Sequence, residues 1–246
     1  MFLRMVTHAI RNDALENSAE TYNESIMPAL KKTSGCVFAS YLQSTSNPQE
    51  CISFTIWNSQ KESSAYEESG LYKQLVDTLR PFFTESTEYK LELSADFTLE
   101  YTPVADEPTI QIFSESVTGS EHISSLKAAP FAVQILSLTV QDDKKDDFET
   151  IFTSEIQPKY KSQKGFIDLI LIRQQREFFV ISFWDETVDI QSPTGAQSLN
   201  EFFQSVNKTL PSFIQWRTAH KSAAATTASS EEMKTTIYRC LAAEWF

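Results

Sequence analysis

Glycine, cysteine and positive charge are all scarce in this chain: five glycines, three cysteines, and 21 Lys and Arg against 33 Asp and Glu over 246 residues. The resulting net charge of −12 opposes binding to phosphate backbones or anionic lipid, so nucleic acid is excluded as an expected partner. Cys36, Cys51 and Cys240 have no metal-ligand spacing and are odd in number, which argues against a disulfide framework and for reduced thiols. No metal site is expected. Long apolar runs are also missing, since no window approaches the roughly 20 apolar residues of a membrane helix. The opening MFLRMVTHAIRND alternates polar and apolar residues and lacks the apolar core and cleavage site of a secretory signal. On these absences a cytoplasmic protein without a membrane partner is expected.

What is present is a repeat. SIMPALKKTSGC begins at Ser25 and EIQPKYKSQKGF at Glu155; Ile26 and Ile156, Pro28 and Pro158, and Gly35 and Gly165 each differ by 130. FLRMVTHAI and AVQILSLTV precede these segments and have the pattern of strands. Between strand and glycine, Tyr22, Ile26 and Leu30 match Phe152, Ile156 and Tyr160 in a four-residue helical rhythm. Asp13 and Asp142 or Asp143 are candidate N-caps, and Gly35 and Gly165 suit the left-handed residue that ends a helix. Pro28 and Pro158, each lacking a backbone donor, should kink the last turns.

CVFASYLQ with ECISFTIW, and FIDLILIR with FFVISFW, then form two hairpins ending in Trp57 and Trp184. Glycines Gly70 and Gly195 follow, then helical segments ending near Pro81 and Pro211, then last strands expected in YKLELSADFTLEYT and FIQWRTAH. The order in each copy is β-α-β-β-α-β, an α+β ferredoxin-like unit. Four of the five glycines fall at paired positions, which supports a true duplication. The expected domains are 1–103, a linker 104–130 in which TIQIF could add a strand, 131–221, and a tail 222–246 with a Ser/Thr/Ala-rich start and an apolar end that docks.

The acid-capped helix ending IMPALKKTSGC, the hairpin, and FTIWNSQKESSAYEESGLYKQLVDTLRPF resemble the antibiotic-biosynthesis-monooxygenase type of dimeric α+β barrel. The resemblance is closer over 1 to about 103 than over 131 to about 220. It implies that both ferredoxin-like units lie in one chain and pair into the barrel as an internal pseudo-dimer, with further homodimerisation open. It also implies a cofactor-independent monooxygenase or related oxidative enzyme acting on a small aromatic or quinol-type substrate, with no cofactor and an apolar pocket supplied with hydrogen bonds.

On that resemblance the first copy's pocket draws on His8, Tyr41, Trp57, Tyr66 and Tyr72. His8 would be the acid or base, and Tyr66 and Tyr72 would orient substrate oxygens. The second copy has Leu138 and Leu171 where the first has His8 and Tyr41, and QSPTGA near Tyr66, so the polar pocket is expected in the first copy. Trp57 fits a packing residue at a strand end better than a pocket wall, since Trp184 repeats it. Haem-degrading relatives carry an asparagine, a tryptophan and a ligand histidine where this chain has Val6 or Thr7, Tyr66 and Val76, so that chemistry is not expected. His122 and His220 lie in the linker and at a domain end, unlike proximal ligands. The alternative from another class is a non-catalytic small-molecule-binding or assembly module of the same fold.

Overall fold

The structure, a computed structural model, describes residues 2–93, 99–113, 116–118, 130–186, 193–215 and 233–246. Two compact units divide the chain: Met1–Ile112 with Leu241–Glu244 and Phe246, and Phe113–Cys240 with Trp245.

In unit 1, strand β1 (Phe2–Ala9) leads through a 3₁₀ turn into helix α1 (Leu15–Thr21), a π-turn (Tyr22–Ile26) and α2 (Met27–Lys31). Strands β2 (Cys36–Ser44) and β3 (Glu50–Trp57) follow, then α3 (Gln60–Glu68) and α4 (Leu71–Leu79). β1 pairs antiparallel with β3, placing Arg4 opposite Thr55 and Val6 opposite Ser53, and β3 pairs with β2. Unit 2 repeats the order: β8 (Phe131–Thr139), α5 (Lys145–Ile151), a π-turn (Phe152–Ile156), α6 (Gln157–Lys161), β9 (Phe166–Gln174), β10 (Glu177–Asp185) and α7 (Pro193–Val206).

The π-turns show how each helix accommodates its proline. Met27 N–H donates to Tyr22 O and Gln157 N–H to Phe152 O, each reaching five residues back. In a regular helix the proline ring would collide with the carbonyl four residues before it; one wider turn ahead of Pro28 and Pro158 avoids that collision. Gly35 and Gly165 end these helices with φ of 81° and 76°, as their spacing predicts. The acid caps do not form: Asp13 and Asp142 lie inside 3₁₀ turns whose flanking residues, Arg11 and Gln141, make no side-chain cap.

The fourth strand of each sheet lies later than the sequence predicts. In unit 1, the strands β4 (Glu85–Leu93) and β5 (Leu99–Ala105) pair antiparallel in a sheet of their own, and β6 (Thr109–Phe113), the TIQIF segment, lies beside β1. In unit 2, FIQWRTAH begins as helix, with Gln215 N–H bonded to Pro211 O, and the strand beside β8 is β11 (Met233–Trp245). Residues 216–220, the Ser/Thr/Ala spacer, His122 and the first two residues of QSPTGA lie outside the described residues. Within unit 1 the order is β6-β1-β3-β2, and within unit 2 it is β11-β8-β10-β9, with β7 (Ser116–Thr118) beside β9. Both are the ferredoxin-like order.

Each unit buries the helix-facing side of its sheet. The unit 1 core joins Tyr22, Ile26 and Leu30 to Tyr41, Trp57 and Leu79, with Leu241 and Phe246 packed against it. The unit 2 core joins Phe148, Phe152 and Ile156 to Leu171, Trp184 and Phe203. Cys36 and Cys51 are buried on paired strands, and burial pushes the Cys36 thiol up to about 12. No helix among the described residues is long and apolar enough to cross a membrane.

Candidate functional site

Alternation along β1 sends Arg4, Val6 and His8 to the helix-facing side, where Ser53 and Thr55 of β3 join them. Tyr22 and Ile26 of the π-turn, Tyr66 of α3, and Tyr72, Leu75, Val76 and Leu79 of α4 close over this face. Between them is a cavity of ≈ 40 Å³, room for about three water molecules. Its outer margin is formed by half-buried Tyr72, Leu75, Val76 and Pro108.

His8 is buried between two rings, stacked on Tyr41 at 5.6 Å and on Phe83 at 5.2 Å between centroids. Its Nε2 lies 3.2 Å from Tyr41 Oη; Tyr41 donates to Ser18 Oγ at 3.3 Å, and Ser18 donates to Leu15 O at 2.7 Å. Burial lowers the His8 pKa to about 4, against a smaller opposing effect of the Val6 backbone, so the ring is neutral at pH 7. Tyr22 stacks on Tyr41 at 4.6 Å and its hydroxyl lies 2.8 Å from Ser53 Oγ. A polar chain thus runs behind and beside the cavity wall.

Arg4 forms the other end. Its side chain is 1% exposed, and Nη1 donates to Glu67 Oε2 at 2.8 Å. The guanidinium carbon lies 4.3 Å from the Tyr72 ring centroid and 5.7 Å from that of Tyr66. Burial raises both phenol pKa values, and the Arg4 charge opposes that rise. Tyr66 stacks in turn on Trp57 at 5.0 Å, whose indole N–H donates to Thr55 Oγ1 at 2.9 Å.

Of the five residues singled out in the sequence, His8, Tyr66 and Tyr72 line the cavity. Tyr41 stands one layer behind, bonded to His8, and Trp57 lies behind Tyr66. Trp184 in unit 2 donates to Ser182 Oγ at 2.8 Å, the same bond that Trp57 makes to Thr55, which marks this as a shared packing device. Sequence reasoning missed Arg4, Tyr22 and Ser53. The available signal was an arginine inside the apolar run FLRMV, in phase with His8 two pleats later.

The repeat supplies an internal control. At the positions of Arg4, His8, Ser18, Tyr22, Tyr41 and Ser53, unit 2 carries Gln134, Leu138, Phe148, Phe152, Leu171 and Val180. The last five are buried in the unit 2 core. The frame is common to both units and the polar set belongs to unit 1. Among the described residues no group of His, Cys, Asp and Glu is arranged to hold a metal ion.

No protein-family model matches the sequence, and no curated protein is similar to it. Solved structures are similar over nearly the whole chain. One, described as a "putative monooxygenase" from Fusobacterium nucleatum, is 8% identical with a TM-score of 0.65, covering 99% of this chain and 94% of its own. A second so described, from Lactobacillus acidophilus, is 6% identical with a TM-score of 0.60, covering 99% and 95%. An anthrone oxidase-like protein is 8% identical with a TM-score of 0.51, covering 99% and 92%. At these identities the likeness is one of fold.

Proposed function

We propose that this chain, which has the fold of the antibiotic-biosynthesis-monooxygenase type of α+β barrel in tandem form, is a cofactor-independent monooxygenase of a small aromatic or quinol-type substrate held in the unit 1 cavity. The observation that carries the proposal is the convergence of Arg4, His8, Tyr22, Ser53, Tyr66 and Tyr72 on one cavity, against apolar residues at three of the four unit 2 positions that the repeat aligns with them. Concave sites with a few convergent polar groups in apolar walls are where ligands bind.

In this reading a phenolic substrate with an activated ring CH₂ loses one proton to give a carbanion, which transfers an electron to O₂. Recombination at carbon gives a hydroperoxide, and elimination of water leaves a ketone, so CH₂ and O₂ become C=O and H₂O. His8 takes the role of proton acceptor. It is neutral at pH 7, and an oxyanion forming beside it raises its basicity. Tyr41 and Ser18 extend it as a hydrogen-bonded chain, and Tyr66 orients the substrate oxygen. Arg4 favours negative charge developing near it.

The test is oxygen uptake with hydroquinones and anthrone-like phenols. His8→Leu and Tyr66→Phe are expected to lower kcat/KM by about 10²-fold or more while leaving the fold intact; unchanged turnover would remove these residues from the mechanism. A second reading, a binding module without chemistry, is favoured by the engagement of His8 Nε2 with Tyr41 and by the cavity's small volume. Ligand binding without oxygen consumption would select it.

A further inference from the structure

We infer that the unit 1 cavity selects ligands bearing a planar oxyanion, a carboxylate or an enolised 1,3-dicarbonyl on an apolar or aromatic body, and that Arg4 is the residue that reads it. The inference deepens the proposed function and rests on the cavity being the ligand site.

Arg4 Nε and Nη2 are buried with no hydrogen-bond partner, while Nη1 is occupied by Glu67. Buried polar atoms in folded proteins are nearly always paired, so two idle donors on one fully buried guanidinium call for an acceptor. Nε and Nη2 share one edge of the planar group, and that edge presents two parallel N–H donors to the two oxygens of a carboxylate. Tyr66 and Tyr72 pack against the guanidinium, which narrows the approach left to a ligand.

The surroundings fit the same ligand. None of the residues lining the cavity is acidic, in a chain whose net charge is −12. The ≈ 40 Å³ cavity suits an oxyanion head, and half-buried Tyr72, Leu75, Val76 and Pro108 offer an apolar margin for the rest of the molecule. Unit 2 makes the contrast: Gln134 stands at the Arg4 position, uncharged and accepting from Ser182 Oγ at 3.4 Å.

The experiment is calorimetric titration of the full chain with benzoate and with its uncharged amide, benzamide. Benzoate is expected to bind at least about tenfold more tightly. Arg4→Gln, which copies the residue of unit 2, should abolish that preference. Arg4→Lys keeps a charge but loses the two-donor edge, and should retain only part of it; this second variant serves if the first fails to fold. Glu67→Gln removes the competing carboxylate from Nη1 and should strengthen benzoate binding while leaving benzamide unchanged. Equal binding of benzoate and benzamide overturns the oxyanion inference and leaves the cavity as a ligand site. Preference for benzoate that survives in both Arg4 variants also overturns it. Absence of binding by either compound at saturating concentration overturns the reading of the cavity itself.

Discussion

His8 shows how one buried side chain couples stability to pH. Its pKa falls from 6.5 to about 4 on folding, so the unfolded chain holds the extra proton between those values. The neutral ring's contribution is complete above pH 6.5 and is lost as pH falls towards 4, about 3 kcal/mol in all from the shift at 1.36 kcal/mol per unit. Urea unfolding at pH 7 and pH 4.5 should show a loss of about 2 kcal/mol in the native protein that His8→Leu removes. Leu138 occupies this position in the repeat, so the strand accepts the change. At this scale the sequence pointed to part of the cavity lining. His8, Tyr66 and Tyr72 were legible through the family resemblance, which implies a pocket between sheet and helices in the first copy, and all three line the cavity. Arg4 was not, because an arginine between Leu3 and Met5 has the same strand alternation as any polar residue. Only the folded sheet reveals that its side chain is buried, with Nη1 bonded to Glu67 and Nε and Nη2 left without a hydrogen-bond partner.

The elements were legible in kind and less so in partnership. Both hairpins, both proline-containing helices and both left-handed glycines follow from local pattern. Gly35 is the most constrained of these: a Cβ there would lie 2.2 Å from Glu62 Cδ, at φ 81°. Glu62 belongs to the cap of α3, its N–H bonded to Ser59 Oγ. Gly70 has φ 77° and open space around it. Gly35→Ala should therefore destabilise by about 1–2 kcal/mol from backbone strain plus the clash, and Gly70→Ala by the strain alone, as denaturant midpoints will report. The fourth strands were misplaced for a different reason. YKLELSADFTLEYT alternates as well as TIQIF does, and alternation identifies a strand without naming its neighbour. FIQWRTAH failed because Pro211 starts a helical turn through Gln215.

For the whole molecule, two units built on one frame have separated in composition, one keeping a polar set and one filling the same places with leucine, valine and phenylalanine. Removing residues 233–246 should strip β8 of a neighbouring strand and abolish cooperative thermal unfolding, with light scattering rising as the bare edge self-associates. The same pairing bears on synthesis. Ala132 of β8 faces Arg239 of β11, 107 residues later (239 − 132). A ribosome that has released β8 must still translate three helices and a hairpin before that partner exists, and unit 2 therefore passes through a nascent stage with an open sheet edge, when chaperones would have their main opportunity to hold it.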